Sequence, residues 1–279
     1  MMTTYGSAYR GPPSLPQLSS AEDEYVPRAN SVQNYAYKED PNSRFRPSME
    51  DGHRAVDSFM GDPNMGYFSV FDGHGGPEAV EYCKRRMHEE VRKALSETPE
   101  DVAGAYHRCF QRVDNQLRLT GAMSSGTTAI VAIVRKENHQ RMLYVANVGD
   151  SRAYLLSNTG CEELTYAHNG SDPGEASRIM KGGGILMNGR VAGQLAVSRA
   201  LGDHHLKSSG VICDPHVIKR PVAFGSTLIM GSDGIWDVIP PHDLPSLMGR
   251  NSLEIADYLL RRAIEGGSQD NACLLAVCF

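Results

Sequence analysis

An α+β fold, with antiparallel sheets covered by helices, is what this sequence predicts, and three observations carry the prediction. Two amphipathic helical stripes follow one another directly. The strand-like runs around them do not alternate with helices, as a doubly wound parallel sheet would require. Apolar residues make up 41% of the 279 residues, enough for a substantial core and too many for a disordered chain.

Taken in order, the first 30 residues carry Gly6, Gly11, Pro12, Pro13, Pro16 and Pro27 with few aliphatics, a composition that predicts a flexible N-terminal arm. From residue 31 to 279 no linker interrupts the chain, which predicts one domain. The stretch FSVFDGHGG at 68–76 is an apolar run that ends at Asp72 and passes into a loop almost without side chains. Pro77 suits a first helical position, and Val80, Cys83, Met87, Val91 and Leu95 recur on one face. Thr98-Pro99-Glu100-Asp101 opens a second helix striped by Val102, Tyr106, Cys109, Val113 and Leu117. Strand-like runs follow at 127–134, 142–148, 153–156, 227–231 and 272–279, and Asn188-Gly189 marks a hairpin turn. A last helix is expected near 252–265, stopping at Gly266-Gly267.

Composition narrows the function. The net charge is −5 and the only basic run, Lys84-Arg85-Arg86, falls on a helical pattern, which argues against nucleic-acid binding. The six cysteines, at 83, 109, 161, 213, 273 and 278, form no CxxC pair or zinc-finger spacing. No signal-peptide pattern, N-myristoylation pattern or run of about 18 apolar residues is present. These features predict a soluble protein in a reducing compartment, cytoplasmic or nuclear, with no membrane partner, and the chain is expected to act as a monomer.

Acids stand at several strand ends. Besides Asp72, YVANVGD ends in Asp150, LIMGSD ends in Asp233, and Asp270 stands just before the final strand. In an antiparallel sheet the end of one strand lies beside the start of its neighbour, so these carboxylates can share an edge. So many acids at one edge repel unless cations sit between them, and oxygen donors without a Cys or His cluster suit Mg²⁺ or Mn²⁺. An Asp after a strand is also a common turn former, and pattern alone leaves both readings open.

RPSMEDGH (46–53), FSVFDGHGG (68–76), SSGTTA (124–129), VANVGDSRAYLL (145–156), LAVSRALGD (195–203), MGSDGIWDV (230–238) and QDNACLLAVCF (269–279) occur together in this order. In this the chain resembles the metal-dependent protein phosphatases of type 2C from about residue 31 onward. The resemblance implies a four-layer fold, an antiparallel β-sandwich flanked by pairs of α-helices, with a two-metal centre at one end. It implies phosphoserine and phosphothreonine on proteins as substrates, Mn²⁺ or Mg²⁺ as cofactor, and in-line attack by a water or hydroxide bridging two ions. By the same resemblance Asp72 bridges both ions, and Gly73 offers its carbonyl to one of them. Asp233 and Asp270 bind the other, and Glu50 and Asp51 act through water. Asp150 matches a ligand of a weaker third ion, Arg46 the phosphate-binding arginine and His74 the general acid.

The chemistry independently suits these residue types. Two divalent ions about 4 Å apart acidify a shared water towards neutrality. A guanidinium fork matches two phosphate oxygens and keeps its charge. Imidazole titrates near neutral pH and is suited to protonate a departing Ser or Thr oxygen. Two motif residues, Trp236 and Asp203, read as structural, and Thr128 is left outside the site.

Rival chemistries fit less well. A covalent-aspartate phosphatase wants a second Asp where His74 stands, and no cysteine has the arginine spacing of a cysteine phosphatase. Calcineurin-like metallophosphatases need Gly-Asn-His motifs that are absent, and a pseudoenzyme usually lacks a ligand acid. The chain departs from the family at Ala167, Ala192 and Gln269, where Asp, Asn and Arg are common. These departures remove no metal ligand and bear on substrate choice and on a flap at about 166–194, which contains Gly182-Gly183-Gly184 and is expected to be mobile.

Overall fold

The computed structural model describes residues 25–279 apart from Ala122, so most of the expected N-terminal arm lies outside the described residues. The chain opens with β1 (Tyr25–Val26), β2 (Asn34–Asp40), β3 (Asp51–Val56) and β4 (Gly66–His74). Helices α1 (Glu78–Glu97) and α2 (Val102–Leu119) follow. Then come β5 (Gly126–Thr127), β6 (Ala129–Glu137), β7 (Gln140–Val148), β8 (Arg152–Ser157) and β9 (Gly160–Glu163). Helix α3 (Pro173–Lys181) precedes the short β10 (Leu186–Met187), β11 (Arg190–Val191) and β12 (Leu201–Gly202). The chain ends with β13 (His216–Pro221), β14 (Thr227–Gly231), α4 (Asp233–Trp236), α5 (Ser252–Glu265) and β15 (Ala272–Cys278).

Two antiparallel sheets result. One has the order β1-β2-β15-β14-β8-β9; the other runs β12-β5-β4-β6-β7-β13, with β3 also paired to β4. Their packing follows from side-chain alternation. On β6, Ile130, Ala132 and Val134 face the other sheet, where they meet Leu228, Met230, Leu275 and Val277. Val131 and Ile133 point the opposite way, onto Val80, Met87, Cys109 and Val113 of α1 and α2. Leu274 and Ala276 of β15 likewise point outward, onto Ile255 and Leu259 of α5. Period-two strands buried on both faces thus give three apolar layers and a helix–sheet–sheet–helix stack. Each large aliphatic so buried contributes about 1.5–3 kcal/mol.

Local signals set the helix ends. Asp101 caps α2 by accepting from the Gly104 N–H at 2.8 Å. Asn251 and Glu254 cap α5 reciprocally, the side chain of each accepting from the backbone N–H of the other. One side of the sandwich carries the α1/α2 pair; the other carries α5 with the one-turn α4. Trp236 is core: its indole N–H donates to the Gly231 carbonyl at 2.8 Å and its ring packs edge-on against Tyr154.

The flap carries regular structure of its own. It contains α3 and the β10–β11 hairpin turning at Asn188-Gly189, packed on an apolar cluster of Ile179, Val191, Val197, Leu206 and Val211. Glu175 fixes it further, paired with Arg178 and Arg199.

Candidate active site

The acids converge through strand register within each sheet and through the packing of one sheet on the other. β3 and β4 run antiparallel with Asp51 opposite Asp72. In the other sheet β14 pairs with β15, so the chain leaves β14 at Asp233 beside the point where Asp270 enters β15. The Asp233 backbone N–H donates to Asp72 Oδ2 at 3.3 Å and ties the two strand ends together. The backbone of Asp72 is held in turn by the Thr128 N–H, which donates to its carbonyl at 2.8 Å.

The glycines after Asp72 answer to close neighbours. A Cβ on Gly73 would collide with the Glu50 carbonyl and with Val80. Gly75 sits at φ +70 against the Ser124 carbonyl, a place where an L side chain is both strained and blocked. The loop bearing Arg46 and Glu50 is pinned by Asn271. Its amide donates to the carbonyls of Pro41 and Ser48 at 2.7 and 3.0 Å and accepts from the Glu50 N–H at 2.8 Å.

Arg46, Glu50, Asp72, Gly73, His74, Asp150, Asp233 and Asp270 line one cleft of about 260 Å³, with Thr128, the flap residue Arg190 and the adjoining Leu195. Asp51 lies beneath it, buried, and its Oδ2 has no hydrogen-bond partner. All nine residues singled out in the sequence therefore gather at one end of the sandwich. Arg46 caps the group, its guanidinium donating to Asp270 Oδ2 and to the Gln269 carbonyl.

Electrostatics mark the cleft as short of positive charge. Burial first, and then the charges of Asp233 and Asp270, push the Asp51 carboxyl up to about 8. Burial with Asp150 and Asp270 nearby takes Asp233 to about 7. Asp72, desolvated at the cleft wall and facing Asp51, Asp233 and Asp150, is raised well above the carboxylate range. Asp150 is raised too, by burial and then by Asp237. Crowded, desolvated carboxyls with an orphaned oxygen suit cations, and an all-oxygen donor set suits hard ones.

Four contributors escaped sequence reasoning. Asp203, read as structural, is buried and meets His74 Nε2 through Oδ2 at 2.7 Å. Asn271 carries the pinning contacts above. Asp237 adds charge one helical turn after Asp233, a four-residue spacing visible in the sequence. Thr128 lines the cleft, its hydroxyl bonded to that of Ser151 at 2.7 Å.

The family model for protein phosphatase 2C matches residues 35–272. The chain is 35% identical to protein phosphatase 2C homolog 1 of Saccharomyces cerevisiae, across 92% of this chain and 99% of that protein. It is 32% identical to protein phosphatase 1A of Homo sapiens, across 84% of this chain and 68% of that protein. The chain belongs to the protein phosphatase 2C family. It is accordingly a metal-dependent protein serine/threonine phosphatase by family. Among solved structures, a sex-determining protein of C. elegans superposes with a TM-score of 0.77 at 25% identity, covering 88% of this chain and 64% of that chain.

One departure from the family pattern has a local physical consequence. Ala192 stands at φ 51, a left-handed conformation that Asn tolerates better than Ala. Ala167 precedes the buried His168, whose imidazole is pushed down to about 4 by burial and then by Arg199.

Proposed function

We propose that the cleft at the end of the sandwich hydrolyses phosphoserine and phosphothreonine on proteins, with Asp72, Gly73, Asp233 and Asp270 holding two Mn²⁺ or Mg²⁺ ions. Glu50 and Asp51 support that pair, and Asp150 holds a weaker third ion. The observation that carries this reading is the single cleft in which these residues meet Arg46 and His74. When bound, divalent ions supply Lewis acidity and an acidified water for attack on phosphorus.

The chain's own residues do the rest. Arg46 binds two phosphate oxygens and orients phosphorus; to do so its guanidinium turns from Asp270 towards the substrate. Asp203 accepts from His74 Nε2, which leaves Nδ1 to hold the proton for the departing serine or threonine oxygen. The flap residue Arg190 and the adjoining Leu195 border the cleft where the substrate's polypeptide approaches.

The wider reading is a catalytic domain at 31–279 with its flap at about 166–194, acting as a monomer in the cytoplasm or nucleus. Six unpaired cysteines fit a reducing compartment. The test is a metal-dependence assay on purified protein. Hydrolysis of a phosphothreonine peptide is expected with Mn²⁺ or Mg²⁺ and not in EDTA; full turnover in EDTA would overturn the mechanism.

A further inference from the structure

Behind the acid edge the strands bring together a second group of donors with different chemistry. Glu39 of β2 stands directly opposite Cys273 of β15. His53 of β3 reaches both from the other sheet: its Nδ1 lies 3.2 Å from Glu39 Oε2 and 3.9 Å from Cys273 Sγ. One ligand atom from each residue falls within 4.8 Å of the other two. For zinc, with bonds of about 2.0–2.1 Å to nitrogen and about 2.3 Å to sulfur, tetrahedral edges are about 3.3–3.6 Å. The two distances from His53 straddle that range.

The surroundings support a built site. Cys273 is fully buried, while the His53 and Glu39 side chains keep 12% and 15% of their surface open to solvent, so one side of the group remains reachable. The Tyr37 ring lies over the imidazole, with centroids 3.4 Å apart, and restricts its orientation. Lys84, the nearby cation, gives its ammonium to Glu81 at 3.1 Å.

We propose that Glu39, His53 and Cys273 form a binding site for a zinc-class divalent cation, separate from the oxygen-lined cleft. Sulfur, imidazole and a single carboxylate select a borderline-soft ion, whereas the cleft selects a hard one. On binding, the Cys273 thiol releases its proton to solvent as the sulfur–metal bond forms. His53 ligates through Nδ1 and keeps its proton on Nε2. Three protein ligands leave a fourth position for water. Because the ligands come from both sheets, the ion staples the sandwich at its catalytic end. It holds β3 two residues beyond Asp51 and β15 three residues beyond Asp270.

Cobalt(II) reports on this site independently of turnover, because thiolate ligation gives a near-ultraviolet charge-transfer band. The full-length protein, with excess Mg²⁺ to fill the cleft, should develop that band with one equivalent of cobalt, lose it on adding zinc, and melt at a higher temperature with zinc bound. Cys273→Ser should abolish the band, and Asp233→Asn should leave it intact. Glu39→Gln, at the more open edge, keeps the thiol in place and should weaken cobalt binding at least tenfold. The site is overturned if wild-type protein shows no thiolate band, if the band survives Cys273→Ser, or if Glu39→Gln binds cobalt as tightly as wild type.

Discussion

Glu175 in the flap and Asp51 at the acid edge are buried to the same depth, at 4% and 5% exposure, and the chain treats them in opposite ways. Glu175 receives Arg178 at 2.8 Å, Arg199 at 2.7 Å and the Ser198 hydroxyl at 2.7 Å. Burial alone would raise its carboxyl, yet these bonds hold it far below the usual range. Asp51 faces Asp72 across the strand pair and keeps one oxygen unpartnered. A carboxylate that serves the fold arrives with its own cations. Carboxylates left crowded and unpaired at a cleft are a reservoir of negative charge that something from solution neutralises.

The largest test of that contrast is Asp233→Asn. Turnover with Mn²⁺ should fall more than about a hundredfold, since even indirect partners of metal ligands cost 10–100-fold. The metal-free protein should melt no lower than wild type, because a charge that repels Asp72, Asp150 and Asp270 has gone. A large drop in the metal-free melting temperature would show instead that Asp233 is a structural carboxylate of the Glu175 kind.

Asp203 is a third case, a buried carboxylate paired to His74, the proposed general acid. Asp203→Asn should lower kcat on a phosphothreonine peptide by about ten- to a hundredfold. On p-nitrophenyl phosphate the loss should be only a few-fold, because nitrophenolate departs without needing a proton. Equal losses on both substrates would assign Asp203 to folding and remove it from the proton path.

How much of this was legible follows from where the physical signal sits. Asp233 and Asp270 could be read together because one follows and the other precedes an apolar run, and the antiparallel β14–β15 pair sets those ends side by side. Asp72 also ends an apolar run, but it belongs to the other sheet and joins them through the packing of the two sheets, which strand register does not encode. Helices α1 and α2 announced themselves through stripes that the sandwich buries, and α5 through its start at Ser252-Leu253-Glu254 and its stop at Gly266-Gly267. β2 and β3 did not: NYAYKED and DGHRAV are mostly polar, and their pairing is imposed by β15 and β4. Helix α3 hid because only Glu175 and Ile179 of its residues are buried, and Glu175 is held by arginines from two segments. The roles of Asp203 and Asn271 depend on contacts 129 and 221 residues away, which no local pattern encodes.

The smallest expected effect tests the other side of the comparison. Glu175→Gln removes the partner of two arginines that keep 27% and 18% of their side-chain surface exposed. The loss should therefore be about 2 kcal/mol, below the 3–5 expected of a fully enclosed pair. The sign with pH separates the two sites. Glu175 has a depressed carboxyl, so its contribution is fully present above the unfolded value of about 4.3 and fades as pH falls below it. Asp51 and Asp233 are raised to about 8 and about 7, so they favour the metal-free fold below about 4 and stop doing so as pH rises through 7–8. Divalent ions compete with those protons, and the rise in melting temperature they produce should grow from pH 5 to pH 8. Melting curves across that range should show Glu175→Gln flattening the acid limb while the metal-dependent rise persists; a variant that lost the metal-dependent rise instead would tie the flap's ion pairs directly to the catalytic edge.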